Sequence, residues 1–380
     1  MEHKICKKCI MDTSDSDITF NENGICNHCI EFENSTAKLW HPNEYGLKLL
    51  NEIFHKVKTE GKGKEYDCIL GLSGGVDSAY LALKIKEYGL RPLVFHVDAG
   101  WNSEIAVSNI ESIVKYCNYD LFTYVIDWEE MKDLQLAYFR SGIANQDVPQ
   151  DHAFFAILYH YAVSNNINYI ISGGNTSTEA IPPPLSWENS AMDAVNLKSI
   201  HDKYGLVKLN NYRTINLFQY YFYYPMIKKM KTLRPLNFMP YNREEAIKEL
   251  VDKIGFKEYG RKHGESVFTR FFQNYYLPTK FGFDKRKPHY SSLILTGQIT
   301  RDEALSMIKE PFYHSEFQLK TDIEFFCRKL GITREEFDTL MASPNKKYTD
   351  YPSWDNYYNK VKKIQRFFES LLGKKIRNYS

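Results

Sequence analysis

Six consecutive residues, Ser73-Gly74-Gly75-Val76-Asp77-Ser78, follow a short apolar run and open a helical pattern. Adjacent glycines let a backbone turn through positive φ and bring its N–H groups close to an anion, and the following helix points its positive end at the same place. Ser73 and Ser78 add hydroxyl donors, and Asp77 supplies a carboxylate able to hold Mg2+ against phosphate oxygens. The hexapeptide therefore has the chemistry of a phosphate cradle. A Gly-Gly turn after a strand is common and in most cases only structural, so the strand-loop-helix setting is what gives this one meaning. It is not a Walker A loop, because Gly-x-x-x-x-Gly-Lys-[Ser/Thr] does not occur in the chain.

A second constellation lies near the start, where Cys6-Lys7-Lys8-Cys9 and Cys26-Asn27-His28-Cys29 are separated by sixteen residues rich in turn formers, among them Asp12, Asp15, Asp17, Asn21, Asn23 and Gly24. Such a segment has almost no core of its own. Four thiolates on two tight turns hold a tetrahedral Zn2+ at about 2.3 Å and leave no open position, which makes the site structural. An iron–sulfur cluster is the competing reading. His28 reads as a surface residue rather than a further ligand. The cysteines number seven, and an odd count with two Cys-x-x-Cys pairs reads in an intracellular chain as metal binding rather than a disulfide framework.

The elements that must position these groups follow from periodicity. At 380 residues the chain is long for one core and short for three, which predicts a main domain with one or two appendages. A helical pattern over 39–57 leads through Gly61-Lys62-Gly63-Lys64 to a strand at 66–72. A helix at 78–88 closed by Gly89, a strand at 92–98, a helix at 103–116 and a strand at 121–126 follow. Helices at 128–141 and 151–164 precede a fourth strand at 169–172, and Leu233-Arg234-Pro235-Leu236 reads as the end of a fifth. Alternation of this kind predicts an α/β fold with a parallel sheet covered on both faces, binding ligands at the carboxyl ends of its strands. Pro182-Pro183-Pro184 blocks regular structure, with Trp187 read as exposed, and 243–254 reads as a helix. The remainder is mainly helical and charged, with Thr333-Arg334-Glu335-Glu336 opening one helix as a capping box.

A formal net charge of +2 gives no global attraction to a polyanion, so nucleic acid is not an expected partner. No stretch approaches the ~18 continuous apolar residues that span a bilayer, and the first six residues are polar and charged. A cytoplasmic protein without membrane insertion is the expectation.

The hexapeptide and its setting resemble the PP-loop ATP pyrophosphatases, a family that includes asparagine, GMP and NAD synthetases, tRNA thiolases and lysidine synthetases. The resemblance implies a Rossmann-like (adenine nucleotide alpha hydrolase-like) domain that cleaves ATP between its α and β phosphates and leaves AMP on an acceptor oxygen. ATP and Mg2+ would then meet Ser73, Gly74, Gly75, Val76, Asp77 and Ser78. His96-Val97-Asp98 is similar to the adenosine-contacting segment and Ser172-Gly173-Gly174-Asn175 to the second glycine motif, so His96, Val97, Asp98, Gly173, Gly174 and Asn175 join the cofactor-binding candidates. Arg234-Pro235-Leu236 is similar as well. A helix-capping Asp98 and a merely chain-turning Gly173 are the structural alternatives.

A closer resemblance covers nearly the whole chain. The cysteine pairs, the loop, and the stretches 264–273, 280–286 and 297–305 resemble the N-acetyl sugar amidotransferases, which make acetamidino sugars for lipopolysaccharide O-antigens and for the pseudaminic or legionaminic acids of flagellin glycans. This implies a four-cysteine zinc knuckle at 1–35 with metal ligands Cys6, Cys9, Cys26 and Cys29, a PP-loop domain at 36–245, and a mainly helical acceptor- and partner-binding region at 246–380. The implied reaction is adenylation of a sugar N-acetyl oxygen and its replacement by ammonia. Asp77, Lys280, Lys285 and Arg286 are the catalytic candidates, with Arg270 a further cation; for each cation a solvated surface charge is the plain alternative. Phe271 and Tyr275 read as core. Glu2 and His3 stand where a class II glutaminase would need its cysteine, and Cys68, Cys117 and Cys327 lack a Gly-x-Cys-x-Gly setting. A separate class I glutaminase subunit, similar to that of imidazole glycerol phosphate synthase, is therefore expected, with a companion barrel protein as a route for ammonia. The competing readings are a PP-loop enzyme that modifies tRNA and a non-catalytic zinc scaffold that binds nucleotide.

Overall fold

The computed structural model describes residues 3–187, 190–259, 264–313 and 315–372, so the last eight residues of the expected helical region lie outside it. Five short apolar runs form its centre: β1 (Cys68–Gly71), β2 (Pro92–Asp98), β3 (Asp120–Val125), β4 (Tyr169–Ile171) and β5 (Lys231–Leu233). All pair in parallel in the order β3-β2-β1-β4-β5. Successive side chains of a strand point to opposite faces. Thus Ile69, Leu93, Phe95 and Ile170 enter one core, and Leu70, Val94 and Ile171 enter the other. The expected α/β architecture is present, with strand bounds within two residues of the periodicity, and the fifth strand ends at Leu233, the first of the four residues read as its end.

Connections from β1 run outward through β2 to β3, whereas those from β4 run the other way to β5. The chain therefore diverges between β1 and β4, and this reversal opens a crevice at their carboxyl ends. Helices Val76–Glu87, Glu104–Cys117 and Val148–Ser164 cover the sheet. Ordinary end signals delimit them: Ser103 accepts from the Ala106 N–H, and Asn118 closes the same helix in the left-handed region at φ 55°.

The C-terminal helices are built onto the sheet rather than beside it. Phe268, Phe271, Phe326 and Phe337 share a core with Phe95 and Trp101, and the Phe271 and Phe326 rings stack 4.6 Å apart. Phe271 is a core residue, as read, whereas Tyr275 is half-buried against the same core. Thr333 opens helix Arg334–Ala342 with the expected reciprocal capping box. Two segments that the sequence reading left undivided, Gln219–Ile227 and Phe272–Phe281, are π-helical turns, each with an internal proline, Pro225 and Pro278.

Two carboxylates one turn apart on helix Trp128–Ser141 satisfy the backbone of an otherwise irregular stretch. Glu130 accepts from the N–H groups of Asn210, Asn211 and Tyr212, and Asp133 from those of Leu206 and Val207. Charge-assisted acceptors of this kind replace a sheet or helix ladder where neither exists.

His152, fully buried on helix Val148–Ser164, ties two further loops: its Nδ1–H donates to the Ala191 carbonyl at 2.8 Å and its Nε2 accepts from the Ile215 N–H at 3.1 Å. Burial pulls its pKa down from 6.5 to about 4. The folded value lies below the unfolded one, so the neutral ring contributes stability fully present above pH 6.5 and lost as pH falls toward 4. The loss amounts to about 3 kcal/mol at about 1.4 kcal/mol per unit. Thermal melts from pH 7 to 4 should show a falling midpoint, and His152→Gln should flatten that decline; an equally steep decline in the variant would place the acid sensitivity elsewhere.

Candidate functional site

Beyond Gly71, at the end of β1, the chain must reverse within four residues to start helix Val76–Glu87. Gly74 does this at φ 82°, where a Cβ would also lie 2.6 Å from the Ala106 carbonyl oxygen. At Gly75 the constraint is space alone, since a Cβ would sit 2.7 Å from a Glu265 carboxylate oxygen. Ser73 Oγ accepts from the Gly75 N–H at 3.2 Å and lies 3.3 Å from Ser78 Oγ. Across the crevice, a Cβ on Gly173 would meet the Ser78 nitrogen at 2.9 Å. The two glycine segments, one after β1 and one after β4, are thus in backbone contact, and together they floor a cavity of about 670 Å3.

Ser73, Asp77, Ser78, Gly173 and Gly174 line that cavity. The Asp77 carboxylate accepts a hydrogen bond from the Tyr241 hydroxyl. Arg234 at the end of β5, Arg243 at the start of helix Arg243–Ile254 and Lys285 bring three cations to the walls, with Glu179 and Glu265 as further carboxylates. A more mixed wall made by Asp147, Gln150, Thr269 and Gln273 with Phe154, Phe155 and Tyr220 closes the far side. Within it Gln150 donates to Asp147 at 2.7 Å and lies 3.5 Å from the Thr269 hydroxyl.

The other expected site residues fall partly on this cavity and partly away from it. His96 and Val97 line the cavity, but both ring nitrogens of His96 are engaged: Nδ1–H donates to the Leu72 carbonyl at 2.8 Å and Nε2 accepts from Asn102 at 2.9 Å. Asp98 accepts from the Gly100 N–H at 2.7 Å, a turn contact outside the cavity wall. Asn175 is buried, capping the next turn through the Thr178 N–H and donating to the Gly173 carbonyl. Lys280 donates to the carbonyls of Leu340, Met341 and Ser343, closing the end of helix Arg334–Ala342. Arg286 forks onto Asp284 with its guanidinium 3.9 Å from the Phe312 ring centroid, and Arg270 forks onto Asp322. Lys280, Arg286 and Arg270 thus fasten the C-terminal scaffold, and Lys285 alone of the expected cations reaches the cavity wall. Arg234 and Arg243 stand there instead. The sequence signal for Arg234 was the Arg234-Pro235-Leu236 tripeptide at a strand end; Arg243 carried none beyond following the helix cap Asn242.

The cysteines form a separate centre. All four are buried, their sulfurs lie within 4.8 Å of one another, and three of the separations are 3.6, 3.7 and 3.9 Å. Four sulfurs about 2.3 Å from one tetrahedral ion stand ~3.8 Å apart, so the donor set fits a single ion with no open position. His28 stands outside the cysteine cluster, as expected, but is half-buried rather than on the surface, its Nε2 paired with Asp15 at 2.7 Å. Trp187 is buried too, stacked on Phe283, with its indole N–H on the Ser14 carbonyl. Arg301 donates to the carbonyls of Cys6 and Cys9, Lys287 pairs with Asp12, and the Ile10 N–H donates to Ser291. The cysteine cluster is therefore docked on helix Arg286–Leu295 and on Arg301, and the residue preceding that helix is Lys285 of the cavity wall.

A family model described as the C-terminal domain of WbpG-like LPS biosynthesis proteins matches residues 265–365. No curated protein matches the chain. Among solved structures, similarity extends to an NH3-dependent NAD synthetase from Campylobacter jejuni subsp. jejuni NCTC 11168 (18% identity, TM-score 0.27, 35% of this chain and 58% of that one). It also extends to an NMN synthetase from Francisella tularensis (24%, 0.28, 35% and 55%). A third is the U34-tRNA thiolase NcsA from Methanococcus maripaludis with its [4Fe-4S] cluster (13%, 0.32, 82% and 91%). The chain spans a little over half the length of the two synthetases.

Elemental analysis of the purified protein is expected to give about one metal ion per chain, and zinc rather than iron. Cys26→Ser should lose the metal and lower the melting midpoint by several degrees, because binding supplies the knuckle's folding energy. Arg301→Ala should lower the midpoint less and leave the metal content intact. Several iron atoms per chain would overturn the single-ion assignment.

Proposed function

We propose that the chain is an ATP-consuming PP-loop enzyme that adenylates the carbonyl oxygen of a sugar N-acetyl group and replaces it with ammonia, giving an acetamidino sugar, AMP and pyrophosphate. One observation carries the reading. Glu265, Thr269, Gln273 and Lys285, all within the stretch matched by the LPS biosynthesis family model, line the same cavity as the 73–78 phosphate loop.

The chemistry follows from what those walls offer. An acetamide oxygen is a poor leaving group. Attack of that oxygen on the α phosphorus of ATP forms an O–P bond and breaks the bond to pyrophosphate, and the resulting imidate expels AMP readily. Ammonia then adds to the imidate carbon as the C–O bond to AMP breaks, and the amidine retains a proton. Charge grows on pyrophosphate in the first step, where the end of helix Val76–Glu87, Arg234, Arg243 and Lys285 can stabilise it. Asp77 would hold Mg2+, which supplies neutralisation of the phosphate charge. The Gln150, Thr269 and Gln273 wall offers neutral donors and acceptors of the kind that sugar hydroxyls require.

The cysteine centre is read as a structural zinc site, consistent with donor spacing for one ion. Its docking beside Lys285 supports a role in setting that wall. The buried Cys68, Cys117 and Cys327 have thiol pKa values raised chiefly by burial, the opposite of an activated nucleophile. With none of these three activated as a nucleophile, we propose a separate class I glutaminase as ammonia source, with a companion barrel protein as conduit, and a cytoplasmic site of action. No helix among the described residues is long and apolar enough to cross a membrane.

Supplied with nucleotide-linked N-acetyl sugars, MgATP and an ammonium salt at high pH, the isolated protein is expected to release equal amounts of AMP and pyrophosphate and to fail with glutamine. Asp77→Asn should reduce turnover by at least about 100-fold. Mass spectrometry should show the acetamido oxygen replaced by NH. Steeply salt-dependent tRNA binding with no turnover of any N-acetyl sugar would overturn this reading in favour of tRNA modification.

A further inference from the structure

The first N–H of helix Val76–Glu87 meets a protein group from far along the chain: Val76 N–H donates to the Tyr259 hydroxyl oxygen at 2.9 Å across 183 residues. Gly75, the cap of that helix, has no side chain to serve this donor. Tyr259 follows helix Arg243–Ile254, and its ring lies edge-on to buried Phe256, 6.2 Å between centroids, against the core under the loop. The ring is thereby held, and the residue contributes to the cavity wall. An anion bound at this helix end would lie beside the Val76 N–H and within hydrogen-bond reach of the phenol oxygen. Burial, reinforced by the Glu265 carboxylate, keeps the phenol pKa above its ordinary value, so the hydroxyl remains a proton donor at neutral pH.

We infer that Tyr259 is a phosphate ligand, its hydroxyl donating to a non-bridging oxygen of the pyrophosphate portion of the nucleotide. The inference rests on the crevice being an ATP site. It adds a donor from outside the 73–78 loop, supplied by the segment that also bears Tyr241 on Asp77. A neutral donor fixed at this point would strengthen its bond as pyrophosphate gains charge on leaving, with no cation to desolvate.

Isothermal titration of wild type and Tyr259→Phe with MgATP, inorganic pyrophosphate and adenosine tests it, with circular dichroism as the check on folding. The expected result is affinity for MgATP and pyrophosphate weakened by about 10- to 100-fold, the worth of a hydrogen bond to a charged group, with adenosine affinity and fold unchanged. Wild-type and variant proteins that bind pyrophosphate equally well would overturn the inference while leaving the ATP site intact. Equal weakening for all three ligands would also overturn it, assigning Tyr259 a structural role. A wild-type protein that binds neither MgATP nor pyrophosphate would refute the ATP site, and this inference with it.

Discussion

Backbone contact between the two glycine segments is the constraint on which the rest of the site depends. Gly173 lies against the backbone of Asp77 and Ser78 in the first turn of helix Val76–Glu87 with no room for a Cβ, so β1 and β4 can be neighbours in this way only if residue 173 lacks a side chain. That adjacency sets the divergence of the connections, which places Arg234 after β5 on one side and Val97 on β2 on the other. A crevice built this way needs no conformational change to collect groups from several strands, because the sheet register has already done so.

The second layer comes from the opposite end of the chain. Glu265 and Ser266 are pinned to the turn after β2 by the Ser103 N–H on the Glu265 carbonyl and the Val267 N–H on the Trp101 carbonyl. The cavity wall from Thr269 to Lys285 thus hangs on backbone bonds to the sheet and on the aromatic packing of Phe268 and Phe271. It is further braced at helix Arg286–Leu295 by the cysteine knuckle. Loop, wall and knuckle are one mechanical unit.

Local signals made most of the fold readable in advance. Apolar runs of strand length, Ser103 at a helix start, the glycine hexapeptide and the paired cysteines each report within a few residues, and each stands where its pattern put it. Side-chain destinations set by distant partners were not readable. Lys280 and Arg286 look like phosphate cations in sequence, yet the nearest uncompensated acceptors were the carbonyls ending helix Arg334–Ala342 and the neighbouring Asp284. Trp187 follows three prolines and reads as loop, but Phe283 covers it from almost a hundred residues away. Asp98 and Asn175 illustrate the converse, since short polar residues at strand ends bond their own backbone as readily as a ligand.

The docking of the knuckle also constrains the order in which the molecule can be made. Residues 6–29 leave the ribosome well before the surface that receives them, Lys287, Ser291 and Arg301, which is synthesised nearly three hundred residues later. At ~5–20 residues per second that is an interval of roughly 15 to 60 seconds. Throughout it the segment has almost no apolar core to hold its shape. A bound ion would let it wait as a preformed plug rather than an unfolded tail, and would turn the last step of assembly into the docking of two finished surfaces.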